Sequence, residues 1–157
     1  MATNFKIKSL QDTEFRHLFD LDDTALEKMG AVRMTVDAFP GFPCRVSLAD
    51  AAIGEEVILL PYQHHKTNAP YQASGPIFIR KIANTANLGT NEIPKMLTHR
   101  LLSLRGYDKS GMMKYATVTE GQNLATQLQL GFERNEIHYI HIHNAKPGCY
   151  NCVAERE

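Results

Sequence analysis

The chain has 157 residues, 43% of them hydrophobic and 22% charged, with seventeen basic residues balancing seventeen acidic ones. That length fits a single domain over residues 1–157 with a core of its own, and the composition is that of a folded rather than a disordered chain. Neutrality removes the electrostatic reason to expect nucleic acid or an anionic membrane as the partner. The first residues lack the apolar stretch of a signal peptide, and no run approaches the roughly 18 apolar residues of a membrane span. Three cysteines, an odd number, then point to reduced thiols in the cytoplasm.

Residues 5–10 alternate apolar and polar and predict an opening strand. Asp12 or Thr13 caps a short helix carrying Phe15, Leu18 and Phe19 on one face. Asp22 or Asp23 caps a second helix over residues 24–29, closed by Gly30. In residues 31–38 the spacing of Val32, Met34 and Val36 predicts a strand, ended by the stiff turn Pro40-Gly41-Phe42-Pro43, which presents Cys44 and Arg45. Ser47 to Asp50 resembles a capping box for a brief helix stopping near Gly54. Residues 57–60 read as a buried central strand and residues 62–75 as a long polar loop.

Residues 76–82 predict a strand and 83–92 a surface loop. Residues 93–98 predict one helical turn. Residues 101–107 and 113–118 form a hairpin pair around Lys109, Ser110 and Gly111. Leu124, Leu128 and Leu130 give residues 122–130 an apolar stripe, with Gly131 as the terminator. Interleaved helices with a late hairpin predict an α+β fold: a single domain whose mixed or mostly antiparallel sheet is flanked by short helices.

The strongest chemical signal is residues 137–149. Ile140 and Ile142 alternate with His141 and His143, so on a strand the two histidines share a face. The turn Pro147-Gly148 follows and delivers Cys149, with Cys152 close behind. Two imidazoles and a returning thiolate suit tetrahedral zinc, so His141, His143 and Cys149, with Cys152 as a fourth member, form a candidate metal set. Ordinary strand histidines beside packed, reduced cysteines are the alternative. Thiol chemistry is the second option, because Cys44 stands beside Arg45 and Cys149 follows His143 and Lys146. Small-ligand binding is the third, through arginines such as Arg105, which hold carboxylate or phosphate bidentately. His64 and His65 are adjacent, so in an extended segment at most one of them reaches a common site. There is no Walker loop, G-x-G-x-x-G, G-x-S-x-G or H-E-x-x-H, which removes the commonest nucleotide, hydrolase and metalloprotease readings.

Several phrases together resemble a known family. These are Pro43-Cys44-Arg45-Val46-Ser47-Leu48, Pro70-Tyr71 with Ser74-Gly75-Pro76-Ile77-Phe78, Leu104-Arg105-Gly106-Tyr107, and His143-Asn144-Ala145 with Pro147-Gly148-Cys149. The chain is similar over nearly its whole length to the bacterial domain of unknown function 1203 family. The resemblance implies a small stand-alone bacterial protein and supplies no activity or substrate. It ranks Cys44, Arg45, Tyr71, Arg105, His143, Asn144 and Cys149 highest, together with the region of His65. It does not require cysteine at 152 or a second histidine at 141. A site drawn from distant segments then follows: Cys44, His65, His143 and Cys149 converging between the 62–75 loop and the C-terminal strand. Its catalytic candidates are Cys44, His143 and Cys149, and its ligand-binding candidates are Arg45, His65, Tyr71, Arg105 and Asn144. The expectation is a Cys/His pocket for a small ligand or a metal such as zinc. A Cys/His-dependent enzyme and an interaction module without an active site are the competing classes.

Overall fold

The computed structural model describes residues 2–157. Apolar residues at every second position pair five strands into an antiparallel sheet of order β1-β8-β7-β5-β6. They are β1 (Phe5–Lys8), β5 (Leu101–Tyr107), β6 (Met113–Glu120), β7 (Tyr139–Asn144) and β8 (Tyr150–Arg156). A second antiparallel sheet has the order β2-β3-β4, built from β2 (Val32–Thr35), β3 (Glu56–His65) and β4 (Ala73–Arg80). Helices are short: α1 (Asp23–Lys28), α2 (Lys95–Thr98) and α3 (Leu124–Phe132), with 3-10 turns at Asp12–Glu14, Arg16–Asp20 and Gly121–Asn123. The fold is α+β.

One face of the larger sheet carries Leu102, Leu104, Ile140, Ile142, Cys152 and Ala154, which bury against Leu124, Leu128 and Phe132 of α3. Each such aliphatic side chain contributes about 1.5–3 kcal/mol when fully buried. The opposite face therefore holds the residues between them: Arg105, His141 and His143. A second core packs Ile58, Leu60, Ile77 and Ile79 of the smaller sheet against Phe15, Leu18 and Leu26.

Several local expectations hold. Asp22 accepts from the Ala25 N–H at 2.8 Å and caps α1, and Gly30 follows at φ +74°. Removing that cap in Asp22→Ala will cost about 1 kcal/mol, read as a lower urea midpoint at an unchanged m-value. An unaltered midpoint would mean that the cap is idle.

Others are corrected. The expected 62–75 loop is mostly strand: β3 runs on through His65 and β4 starts at Ala73. Pro61 does not stop β3, because it stands opposite Pro76 beyond the end of β2, where there is no second ladder to break. Ser47 to Asp50 is not helical but a tight turn, with Leu48 at φ +52° and a bridge between Pro43 and Asp50. The expected helix through Phe15 and Phe19 is a pair of 3-10 turns. Gly131 lies inside α3 rather than beyond it; a Cβ there would sit 2.8 Å from the Ile140 side chain and 2.9 Å from Tyr115. Close packing, not helix termination, is its role. The chain also returns after Cys149 as β8, a strand that the sequence pattern did not reveal.

Candidate functional site

Two bulges shape the site. Between Tyr62 and His65, β3 carries two residues where β4 carries one, since Tyr62 pairs with Gly75 and His65 with Ala73. The extra residue breaks the alternation, so adjacent His64 and His65 both reach the histidines of β7. The ring of His64 lies 5.0 Å from that of His143 and 6.1 Å from that of His141, and His65 lies 5.0 Å from His141. The expectation that only one of the pair joins the site is thereby overturned. The second bulge, between β7 and β8, pairs Ile142 with Cys152 but His143 with Tyr150. Tyr150 then stacks on His64 at 5.2 Å with 11° between the rings. Tyr107 and Tyr139 extend the aromatic seam past His65 and His141.

The four histidines divide by their bonding. His65 is fully used: Nδ1 donates to the Tyr71 carbonyl at 2.7 Å and Nε2 pairs with the Tyr139 hydroxyl at 2.6 Å. It orients its neighbours. His143 donates Nδ1–H to the Gly148 carbonyl at 2.9 Å, which leaves its Nε2 with a free lone pair. That Nε2 is buried without a partner, as are Nδ1 of His64 and Nδ1 of His141. Burial lowers all three pKa values, to about 4 for His64, about 4 for His143 and about 2 for His141, reinforced by the neighbouring imidazoles and by the Arg105 charge. The trio is therefore uncharged at neutral pH. A cleft of about 340 Å³ opens onto His64, His65 and His141 between walls of Tyr62, Tyr139 and Tyr150.

A separate polar corner lies at the far end of β7. Arg45 is 1% exposed and donates to the carbonyls of Tyr150, at 2.7 Å, and Pro43. Its other neighbour is the Cys149 thiol, which also receives the Asn144 amide at 3.7 Å. Asn151 donates to Asn144 at 2.8 Å. His143 connects the two regions, because its Gly148 partner directly precedes Cys149.

The sequence-derived residues thus fall into distinct places. His65, His141 and His143 gather, joined by His64, which the alternation argument had limited. Arg45, Asn144 and Cys149 gather at the corner. Arg105 stands opposite His141 on β5, and the ring of Tyr71 lies 6.1 Å from that of Tyr107. Cys44 is elsewhere, fully buried in the smaller sheet's core with its sulfur accepting the Arg80 N–H at 3.4 Å. Cys152 packs into the larger core, on the opposite face of the sheet from the histidines. The single convergent set of Cys44, His65, His143 and Cys149 is not formed. Nor, among the described residues, is any group of three or more histidine, cysteine or acidic side chains arranged to hold a metal ion, the set His141, His143 and Cys149 included.

Fold and site together define an α+β domain with a neutral histidine cluster between two antiparallel sheets. The chain belongs to the protein family of unknown function DUF1203, whose model matches residues 41–156. That span includes both the histidine cluster and the Arg45–Cys149 corner. No curated protein and no solved structure matches the chain. Among the described residues no helix is long and apolar enough to cross a membrane.

Proposed function

We propose that this protein binds a small, planar, hydrogen-bond-donating molecule in the cleft between its two sheets. The observation that carries this reading is the pair of buried, unpartnered ring nitrogens on His64 and His141, both of which line that cleft, with His143 Nε2 unpartnered behind them. An unpaired buried ring nitrogen costs about 1–3 kcal/mol. His143 Nε2 is an acceptor because its Nδ1–H goes to Gly148, and the neutral rings of His64 and His141 present acceptors at Nδ1 when their proton sits on Nε2. A partner that brings N–H or O–H groups can therefore satisfy the cluster. The aromatic walls offer flat apolar surface to a ring.

Charge separates this reading from a zinc site. Neutral imidazoles are what a metal needs, but Arg105 presses on all three histidines and Arg45 on His143, and both disfavour positive charge there. Among the described residues, no carboxylate forms an ion pair with either arginine. A neutral or anionic ligand suits that field; a bare divalent cation does not. Three free cysteines accord with a reducing compartment such as the cytoplasm.

The test is ligand-observed NMR with a panel of hydroxylated and aminated heteroaromatics, on the native protein and on His141→Phe. Binders that lose at least tenfold in affinity in the variant support the reading. A panel that binds both proteins equally, or elemental analysis finding about one zinc per chain, removes it.

A further inference from the structure

A sheet leaves a row of N–H and C=O groups at each edge, and folded proteins cover or blunt such rows. Most edges here are closed. At the outer side of β1, Asn91 donates its N–H to the Phe5 carbonyl at 2.8 Å, and its side-chain oxygen accepts the Phe5 N–H at 2.9 Å. At β4, Arg45 donates its N–H to the Phe78 carbonyl at 3.1 Å and the Cys44 sulfur takes the Arg80 N–H. β2 is four residues long, and the part of β3 that runs past it carries Pro61 and a bulge. β6 is different. It ends the larger sheet, runs for eight residues without proline, and among the described residues no further strand pairs with it. Its irregularity lies at one end, at Lys114, since Gly106 faces Tyr115 and Tyr107 faces Met113. From Tyr115 to Glu120 the ladder is regular.

The backbone bonds fix which groups this edge offers. Gly121 donates to the Arg100 carbonyl at 2.8 Å, whereas the Leu101 carbonyl turns the other way and accepts the Ala145 N–H at 2.9 Å. Bonding alternates along an antiparallel pair, so Thr117 and Thr119 bond inward to β5, while Ala116, Val118 and Glu120 present their N–H and C=O outward. Lys114, Ala116, Val118 and Glu120 are all exposed, Val118 at 59%. Lys114 and Glu120 take part in no ion pair among the described residues.

We propose that β6 is an interaction edge for a second copy of this chain, the two strands pairing antiparallel about a two-fold axis at Thr117. In that register Ala116 of each copy meets Val118 of the other through their outward backbone groups, and Lys114 of each meets Glu120 of the other. The charges select the register. An axis at Ala116 sets Lys114 opposite Val118, and one at Val118 sets Glu120 opposite Ala116, so the two ion pairs form only about Thr117. Arg134, whose Nη1 donates to the Lys114 carbonyl at 3.4 Å, adds a second positive charge at the end where Glu120 of the other copy arrives. The contact is self-complementary and closed, and it joins two five-stranded sheets into one with both histidine faces on the same side. A single strand pair makes a small interface, so the dimer forms reversibly and at micromolar concentration.

Sedimentation velocity of the native protein from low to high micromolar concentration should show a reversible shift to twice the chain mass. Val118→Pro removes an outward N–H and no bond of the β5 ladder, so it should abolish the shift while the circular dichroism spectrum is retained. Lys114→Glu and Glu120→Lys each place like charges opposite one another in both symmetric pairs, and each should weaken dimerisation about tenfold. Mixing these two variants should restore most of it, since each chain then meets the opposite charge on the other, and the double variant should regain most of it alone. Should Val118→Pro fail to fold, the two charge variants and their mixture decide the matter. A monomer at every concentration overturns the proposal. So does a dimer that survives Val118→Pro or ignores the charge reversals, because the contact then lies on another surface or in another register.

Discussion

Lowering the pH from 6.0 to 4.5 will remove about 4 kcal/mol of folding stability, through His141 and His143 alone. Both have folded pKa values pushed far below the ordinary histidine value, to about 2 and about 4. In the unfolded chain each takes up a proton near pH 6.5; in the folded chain neither does until well below that. The unfolded state thus binds more protons across this window. The stabilisation is fully present above about pH 6.5 and is lost as pH falls toward the folded values, at about 1.4 kcal/mol per pH unit for each ring. His64 acts in the same direction but is only half-buried, so solvent screening reduces its share. The groups facing these rings are His64 and His65 on β3, Arg105 and Tyr107 on β5, Tyr139 on β7, Tyr150 on β8, and Arg45; Lys66 and Glu155 line the same cleft, with Glu155 paired to Lys8 at 2.6 Å. Among the described residues no carboxylate is within ion-pair distance of these rings to hold an imidazolium in place. Asp108 is held below the ordinary carboxylate range by its bond from the Ser110 hydroxyl. Urea unfolding at pH 7.0, 6.0, 5.0 and 4.5 measures the slope. His141→Phe should flatten it by about one proton, or about 1.4 kcal/mol per pH unit. A native slope near zero, or one that the substitution leaves unchanged, would mean that the histidines are charged in the folded protein.

The strand carrying these histidines was legible because its information is local. Ile140 and Ile142 set the buried face of β7, and a period of two then dictates where His141 and His143 point. The hairpin of β5 and β6 and the cap of α1 were legible for the same reason. What the sequence concealed depends on a partner. The convergence of His64 with His65 follows from how β3 registers against β4, and nothing in Gln63-His64-His65 announces a bulge. Cys149 and Cys152 part because the chain returns as β8, where an offset of three faces opposite sides: a spacing that suggests one metal set along the chain becomes a corner thiol and a core thiol across a sheet. Gly131 looked like a stop because Gly often ends helices, and only the approach of Ile140 and Tyr115 shows that it is a packing position. Arg45 was visible as a candidate, but its near-complete burial without a carboxylate was not. That feature arises from the carbonyls of Pro43 and Tyr150, a short-range and a distant acceptor meeting at one side chain.

Asp50→Asn will cost about 3 kcal/mol, because it leaves a largely buried arginine without its counter-charge. The Asp50 side chain is 6% exposed and that of Arg100 14%. Their bond is two-pronged: Nη2 reaches Oδ1 at 2.6 Å and Nη1 reaches Oδ2 at 3.1 Å, with His99 against the same carboxylate at 3.0 Å. Asparagine keeps the shape and one acceptor but loses the charge, so the loss reports electrostatics rather than a cavity. This pair ties the turn after Pro43 to the start of β5, since Asp50 bridges Pro43 and Arg100 directly precedes Leu101. Pro43 in turn holds Arg45 through its carbonyl, so the ion pair fixes one side of the corner around Cys149. Arg100→Met should cost a similar amount, and the double variant should cost clearly less than the sum, because removing both charges leaves none stranded. Urea midpoints of the four proteins complete the cycle. Strict additivity would show that the two charges do not depend on each other, and the turn after Pro43 would then owe its position to packing of Phe42 and Ala51 with Val57 instead.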